Sequence, residues 1–163
     1  MEDLLKQAEH RVPTLAGVKF THFDLMDFHL ANQVNPERFQ MLFGRDEYLL
    51  GSLPFGTKAA VGSTYNFMGK LYLRLMEAYQ QSRLAEAKQL QTLSHRVIAI
   101  MKESGDGVAC SKAITNLALK RSGRGFNLGP SRLPIISFSE EKLAWLEQSL
   151  DEIEFFDFSQ VQN

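Results

Sequence analysis

The 163-residue chain has a single cysteine, Cys110. An internal disulfide is therefore excluded, and so sparse a use of cysteine fits a reducing compartment. No apolar run approaches the roughly 18 residues expected of a membrane-spanning helix. The charges nearly cancel, at net −1, so no whole-chain field recruits nucleic acid or an anionic membrane. His10, His22, His29 and His95 show no metal-ligand spacing, and one cysteine cannot build a Cys–His cluster. The opening MEDLLKQAEH is acidic and helical in pattern. It lacks the basic start and apolar centre of a signal peptide. These absences predict a cytoplasmic protein with neither a nucleic-acid nor a membrane partner.

What is present is enough for a core. Hydrophobic residues make up 44% and charged residues 23%, proportions that exclude a disordered chain. The apolar pattern alternates between two periods. EDLLKQAEHRV is spaced as a helix that Pro13 ends, and LAGVKF follows as a short apolar strand. DLMDFHLANQVN returns to the helical period with Asp24 near its start, and Asn35-Pro36 breaks it. RFQMLFG reads as a second strand, DEYLLGSLPFG as a short helix closed by Pro54 and Gly56, and KAAVGS as a third strand. TYNFMGKLYLRLMEAYQQS is a long amphipathic helix.

Short apolar strands separated by helices are the pattern of parallel β/α units, and these strands read as covered on both faces. After Ser82 the strands stop. Helices are predicted for RLAEAKQLQTLSHRVIAIMKESG, ACSKAITNLALKRSG and SEEKLAWLEQSLDEI, the last capped by Ser139. A loop containing Gly125 and Gly129 separates the second from the third. The expected organisation is a partial β/α barrel over residues 1–82 and a helical extension over 83–163. EFFDFSQV is expected to dock on the body of the protein. Three parallel strands cannot close a barrel, which needs eight, and an open sheet leaves two unpaired edges.

The chemistry-bearing residues gather at the three strand ends. Lys19 ends the first strand and Thr21 follows it. Gly44, Asp46 and Glu47 follow the second strand; Gly62, Ser63 and Thr64 follow the third. In parallel β/α folds the C-terminal strand ends share one face, and active sites lie there. Each residue also has a structural reading. A lysine in a strand is usually solvated, and Asp46, Glu47, Ser63 and Thr64 are good helix caps. Their coincidence at equivalent strand ends favours function. An amine among apolar groups is hard to protonate and can attack a carbonyl to form a Schiff base. Carboxylates and hydroxyls nearby would bind a polyol. Elsewhere, Cys110 reads as a small buried apolar residue. KRSGRGFNLGPSR reads as a solvated loop, since its glycines lack the spacing of a phosphate-binding loop.

GVKFT, LFGRDEYLL and AVGSTYNFMGK, in this order and spacing, resemble the sialic acid aldolases of the dihydrodipicolinate synthase-like superfamily. LGPSRLP and FFDFSQV resemble the C-terminal end of the animal enzymes. The resemblance implies the C-terminal portion of a (β/α)8 barrel with extra helices, assembled as a homotetramer. It implies cleavage of N-acetylneuraminate to N-acetylmannosamine and pyruvate without a metal or organic cofactor. By resemblance Lys19 is the Schiff-base lysine and Thr21 stands beside it. Gly44, Asp46, Glu47 and Ser63 bind the hydroxyl-bearing part of the sugar.

The resemblance starts at the helix before the sixth strand of such a barrel. The Gly-Thr-Thr-Gly-Glu type loop that holds the substrate carboxylate is not in this sequence. Nor is the proton-moving tyrosine, which Tyr48, Tyr65, Tyr72 and Tyr79 do not match. The alternative to an enzyme is an inactive or interaction fragment that pairs with a like or full-length chain.

Overall fold

A computed structural model describes residues 1–158. They form two compact units, Met1–Gly62 and Ser63 onward. The first unit runs α1 (Glu2–Arg11), β1 (Gly17–Phe20), α2 (Leu25–Asn32), β2 (Gln40–Phe43), α3 (Leu49–Ser52) and β3 (Ala59–Ala60). Its sheet is parallel in the order β1-β2-β3. Helical crossovers permit this arrangement, because parallel neighbours need a long connection and a tight turn can join only antiparallel ones. Phe20 pairs in register with Phe43, which pairs with Ala60; Lys19 pairs with Leu42, which pairs with Ala59.

Period-2 alternation then sorts the side chains. Phe20, Met41 and Phe43 are buried in one core with Leu5 of α1 and with Phe28 and Ala31 of α2. Phe28 is fully buried, its ring 5.5 Å from that of Phe20 and 5.2 Å from that of Phe43. The opposite sheet face carries Lys19 and Ala59, both exposed, and Leu42, half-buried. The expectation of strands buried on both faces is therefore corrected. The helices of this unit cover one face, and the face bearing Lys19 lies open. The sheet is short as well, with β3 only two residues long.

α2 starts as its sequence suggests: the Asp24 side chain accepts from Asp27 N at 3.0 Å. The DEYLLGSLPFG segment is not one helix. Residues Asp46–Tyr48 and Leu53–Phe55 are single 3₁₀ turns on either side of α3. Pro54, with no N–H to give, sits in the second of these turns. Gly56 then closes the segment at φ 90°, a left-handed conformation open to glycine.

The second unit is helical: α4 (Tyr65–Gln80), α5 (Leu84–Glu103), α6 (Gly107–Arg121), α7 (Glu140–Glu152) and the short α8 (Phe155–Phe158). α4 packs on α5, and α6 and α7 complete the bundle. Its interior includes Leu71, Leu75, Ile114, Leu146 and Leu150. Met68 departs from helical geometry (φ −125°, ψ 21°) and kinks α4 just before Gly69. Thr64 occupies the N-cap position of α4, yet its hydroxyl pairs with Tyr72 Oη at 2.8 Å rather than capping the helix. Ser139 does cap α7, accepting from Lys142 N. Arg121 ties the C-terminal helices together. It donates to Glu147 and Asp151 of α7 and lies 4.0 Å over the Phe156 ring. Phe155 and Phe156 are buried, as the docking expectation for EFFDFSQV requires; residues 159–161 of that stretch lie outside the described residues.

Cys110 is fully buried in α6, and burial pushes its thiol up from the usual range. It stays protonated and unreactive, as its place in the sequence pattern suggests. Asp106 holds the start of α6, its carboxylate accepting from Val108 N and Ala109 N, both at 2.9 Å. Asp106→Ala leaves both donors without that partner. It is expected to lower stability by about 1 kcal/mol, read as a shift of the urea midpoint at constant slope. An unchanged midpoint would mean the cap contributes nothing.

Candidate active site at the parallel strand ends

The parallel sheet brings the ends of β1, β2 and β3 to one rim. Lys19 stands one residue before the end of β1, on the open face, and is exposed. Gly44 follows β2, its N–H bonded to Phe20 O at 2.8 Å. That bond continues the ladder and draws the two strand ends together. The Lys19 chain crosses directly over Gly44. A Cβ built on Gly44 would lie 2.9 Å from Lys19 Cε, 3.1 Å from Phe20 O, and closer still to Thr21 Oγ1. Distances of that order leave no room for a side chain. Gly44 is glycine here because the lysine and the threonine occupy the space.

The carboxylates at this rim do different things. Asp46 is only 5% exposed, and its carboxyl group packs directly against Gly62, where a Cβ would overlap it. Glu47 is partly exposed and accepts from Arg45 Nη2 at 2.7 Å. The N-cap position of the 3₁₀ turn that they open is Arg45, whose side chain makes no capping hydrogen bond. Beside the cap reading, Asp46 thus packs against Gly62 and Glu47 forms an ion pair. Ser63 is exposed at the start of the second unit, its carbonyl accepting from Asn66 Nδ2 at 2.9 Å.

Three residues of this rim carry no role in the sequence reading: Phe23, Arg45 and Tyr48. The Arg45 guanidinium lies 3.7 Å over the Phe23 ring and 5.6 Å from the Tyr48 ring. The two rings meet edge-on at 5.8 Å. A cation over an aromatic face is worth about 0.5–2 kcal/mol. Arg45 Nε is buried with no hydrogen-bond partner among the described residues, at a cost of about 1–3 kcal/mol. The one signal in the sequence is an arginine inside GRDE, flanked at a distance by aromatics. Its pairing depends on strand register, which local pattern does not encode.

This rim gathers several polar groups. It offers a primary amine over a glycine and beside a hydroxyl, one sequestered carboxylate, and one carboxylate held by a guanidinium. Among the described residues no three His, Cys, Asp or Glu side chains stand close enough to hold a metal ion. No helix of the described residues is long and apolar enough to cross a membrane.

Known proteins resemble this chain in sequence and in fold. The chain is 38% identical to the N-acetylneuraminate lyase of Mus musculus over 162 residues, covering 99% of this chain and 49% of that protein. It is 36% identical to the N-acetylneuraminate lyase of Homo sapiens over 163 residues, with 99% and 49% covered. The chain thus spans about half the length of the curated relatives it matches. Among solved structures, the sialic acid aldolase of Aliivibrio salmonicida superposes with a TM-score of 0.83 at 32% identity, covering 95% of this chain and 49% of that one. A Sulfolobus solfataricus 2-keto-3-deoxygluconate aldolase variant shares the fold alone, with a TM-score of 0.78 at 20% identity over 93% of this chain and 49% of that one. The sequence model of the dihydrodipicolinate synthetase family matches residues 5–153, and the chain belongs to that family.

Proposed function

We infer that this chain carries the Schiff-base half of a sialic acid aldolase that cleaves N-acetylneuraminate to N-acetylmannosamine and pyruvate. The observation that carries the reading is the seat of Lys19, its Cε over Gly44 and beside Thr21 at the C-terminal ends of parallel strands. The Lys19 amine attacks the 2-keto carbon and water leaves, giving an iminium. The bond between the third and fourth carbons then breaks; its electron pair becomes the double bond between the second and third carbons of an enamine, as the iminium π pair moves to the nitrogen. The proton of the fourth-carbon hydroxyl passes to a base, and the aldehyde leaves as N-acetylmannosamine. Protonation and hydrolysis of the enamine release pyruvate and free the lysine.

Thr21 stands beside the imine. Gly44, Asp46, Glu47 and Ser63 serve the hydroxyl-bearing part of the sugar. The carboxylate loop and the proton-moving tyrosine of this chemistry are not among these 163 residues, so the first covalent step is the one this chain can supply by itself. No metal or organic cofactor enters the reading. Assembly as a homotetramer and a cytoplasmic location go with it.

Incubation with pyruvate and borohydride is expected to reduce the imine and fix a pyruvate-derived mass adduct on Lys19, absent in Lys19→Arg. An unlabelled Lys19 in folded protein would sink this reading.

A second reading rests on the open sheet. β1 and β3 each have one edge unpaired within the first unit, and such edges are templates for strands of another chain. On that reading the protein is an interaction fragment that pairs with a like or full-length chain. A folded monomer that turns over N-acetylneuraminate would exclude it.

A further inference from the structure

Arg45 is the rim residue that the reaction above leaves unused, and it is held on several sides. Its guanidinium stacks on Phe23 and approaches Tyr48, Nη2 donates to Glu47, and Nε is buried. A surface arginine with no task keeps its head in water and its rotamer freedom. This one keeps only 23% of its side chain exposed and is held by a ring and a carboxylate, in a loop at the edge of the site. Phe23 and Tyr48, by contrast, leave much of their rings open, at 61% and 46% exposure.

We propose that Arg45 is a positioning residue. It fixes the direction of the Glu47 carboxylate and, with Phe23 and Tyr48, sets a preference for long polyhydroxylated 2-keto acids over short ones. This rests on the aldolase reading. A glutamate at a rim samples several rotamers; an ion pair to a stacked, planar cation selects one. A carboxylate accepts several hydrogen bonds at once, so the pair orients Glu47 without exhausting it. The exposed rings offer an apolar wall to the C–H side of an extended carbon chain.

Lys19 and Thr21 meet at Gly44, and Glu47 lies three residues further along the chain. A two-carbon stub on the Lys19 carbon has no atoms to spend on Glu47, whereas a nine-carbon acid does. Lysine cannot replace arginine fully, because an ammonium does not stack flat while pairing with a carboxylate.

The test measures the concentration of pyruvate, and of N-acetylneuraminate, that half-labels Lys19 with borohydride, total adduct being counted by mass. The readout is the ratio of the two concentrations. In Arg45→Gln the preference for the longer acid is expected to fall about tenfold, as for the loss of one charge-assisted hydrogen bond. Arg45→Lys should recover part of it. In a Glu47→Gln background, Arg45→Gln should change the ratio less than about twofold, since the effect runs through Glu47.

A purely structural role weakens labelling by both acids alike and leaves the ratio unchanged; that result overturns the proposal alone. Full additivity with Glu47→Gln overturns the positioning role. Labelling of the unaltered chain by pyruvate and not by N-acetylneuraminate also overturns the proposal, while the imine chemistry stands. Labelling by neither acid removes the aldolase reading and the proposal with it.

Discussion

Phe28→Ala is expected to destabilise the first unit by about 3–5 kcal/mol. Phe28 is fully buried, and its ring packs against two of the three strands that form the rim, through Phe20 of β1 and Phe43 of β2. Truncation removes the buried ring and leaves a cavity between α2 and the sheet that neighbouring side chains fill only in part. Against a total of about 5–15 kcal/mol for a domain, the loss takes a large share of the margin. Phe28→Leu keeps most of the volume and should lose much less. Urea unfolding followed by far-UV circular dichroism measures both. A loss below about 1 kcal/mol for Phe28→Ala would mean that this core is not what holds β1 and β2 together. Phe20 is the residue after Lys19, so the same substitution should also loosen the seat of the amine.

Gly62→Ala is the second large effect, and it acts on one carboxylate. The added Cβ would fall on the Asp46 carboxyl group. Asp46 is short and buried, so it cannot swing away as the tip of a long side chain would. Overpacking of this kind costs about 1–3 kcal/mol. A carboxylate moved by an ångström can cost about a hundredfold in the chemistry it serves. Two measurements check this: the urea midpoint, and the N-acetylneuraminate concentration that half-labels Lys19. Asp46→Ala in the same chain should rescue most of the stability loss, because the clash then has no second partner. If the double variant is no more stable than Gly62→Ala alone, the contact between Gly62 and Asp46 is not the cause.

Much of the fold was legible along the chain. Pro13 and the Asn35-Pro36 break bounded the first two helices. Asp24 and Ser139 cap where short polar side chains ahead of helical periods cap. The strand–helix alternation pointed to a parallel sheet, since parallel neighbours need connections of that length. Less legible was DEYLLGSLPFG, whose apolar spacing suggested one helix. It is instead two 3₁₀ turns around α3, with Pro54 in the second turn and Gly56 closing it. Thr64 was a sound cap by type, yet Tyr72, two turns further along, takes its hydroxyl.

The order of residues determined the parallel β/α units, the three strand ends that carry Lys19, Asp46–Glu47 and Ser63, and the resemblance that gave the lysine a role. These are matters of period and spacing, and a linear string carries both. The tertiary structure decided which sheet face is covered, so that Lys19 stands on the open face opposite Phe20, Met41 and Phe43. It decided that Asp46 is buried under Gly62 and that Glu47 answers to Arg45. It also set Arg45 upon Phe23, twenty-two positions earlier in the chain. Such pairings follow from the register of β1 on β2, and register is fixed only when the whole apolar face of the sheet closes on its helices at once.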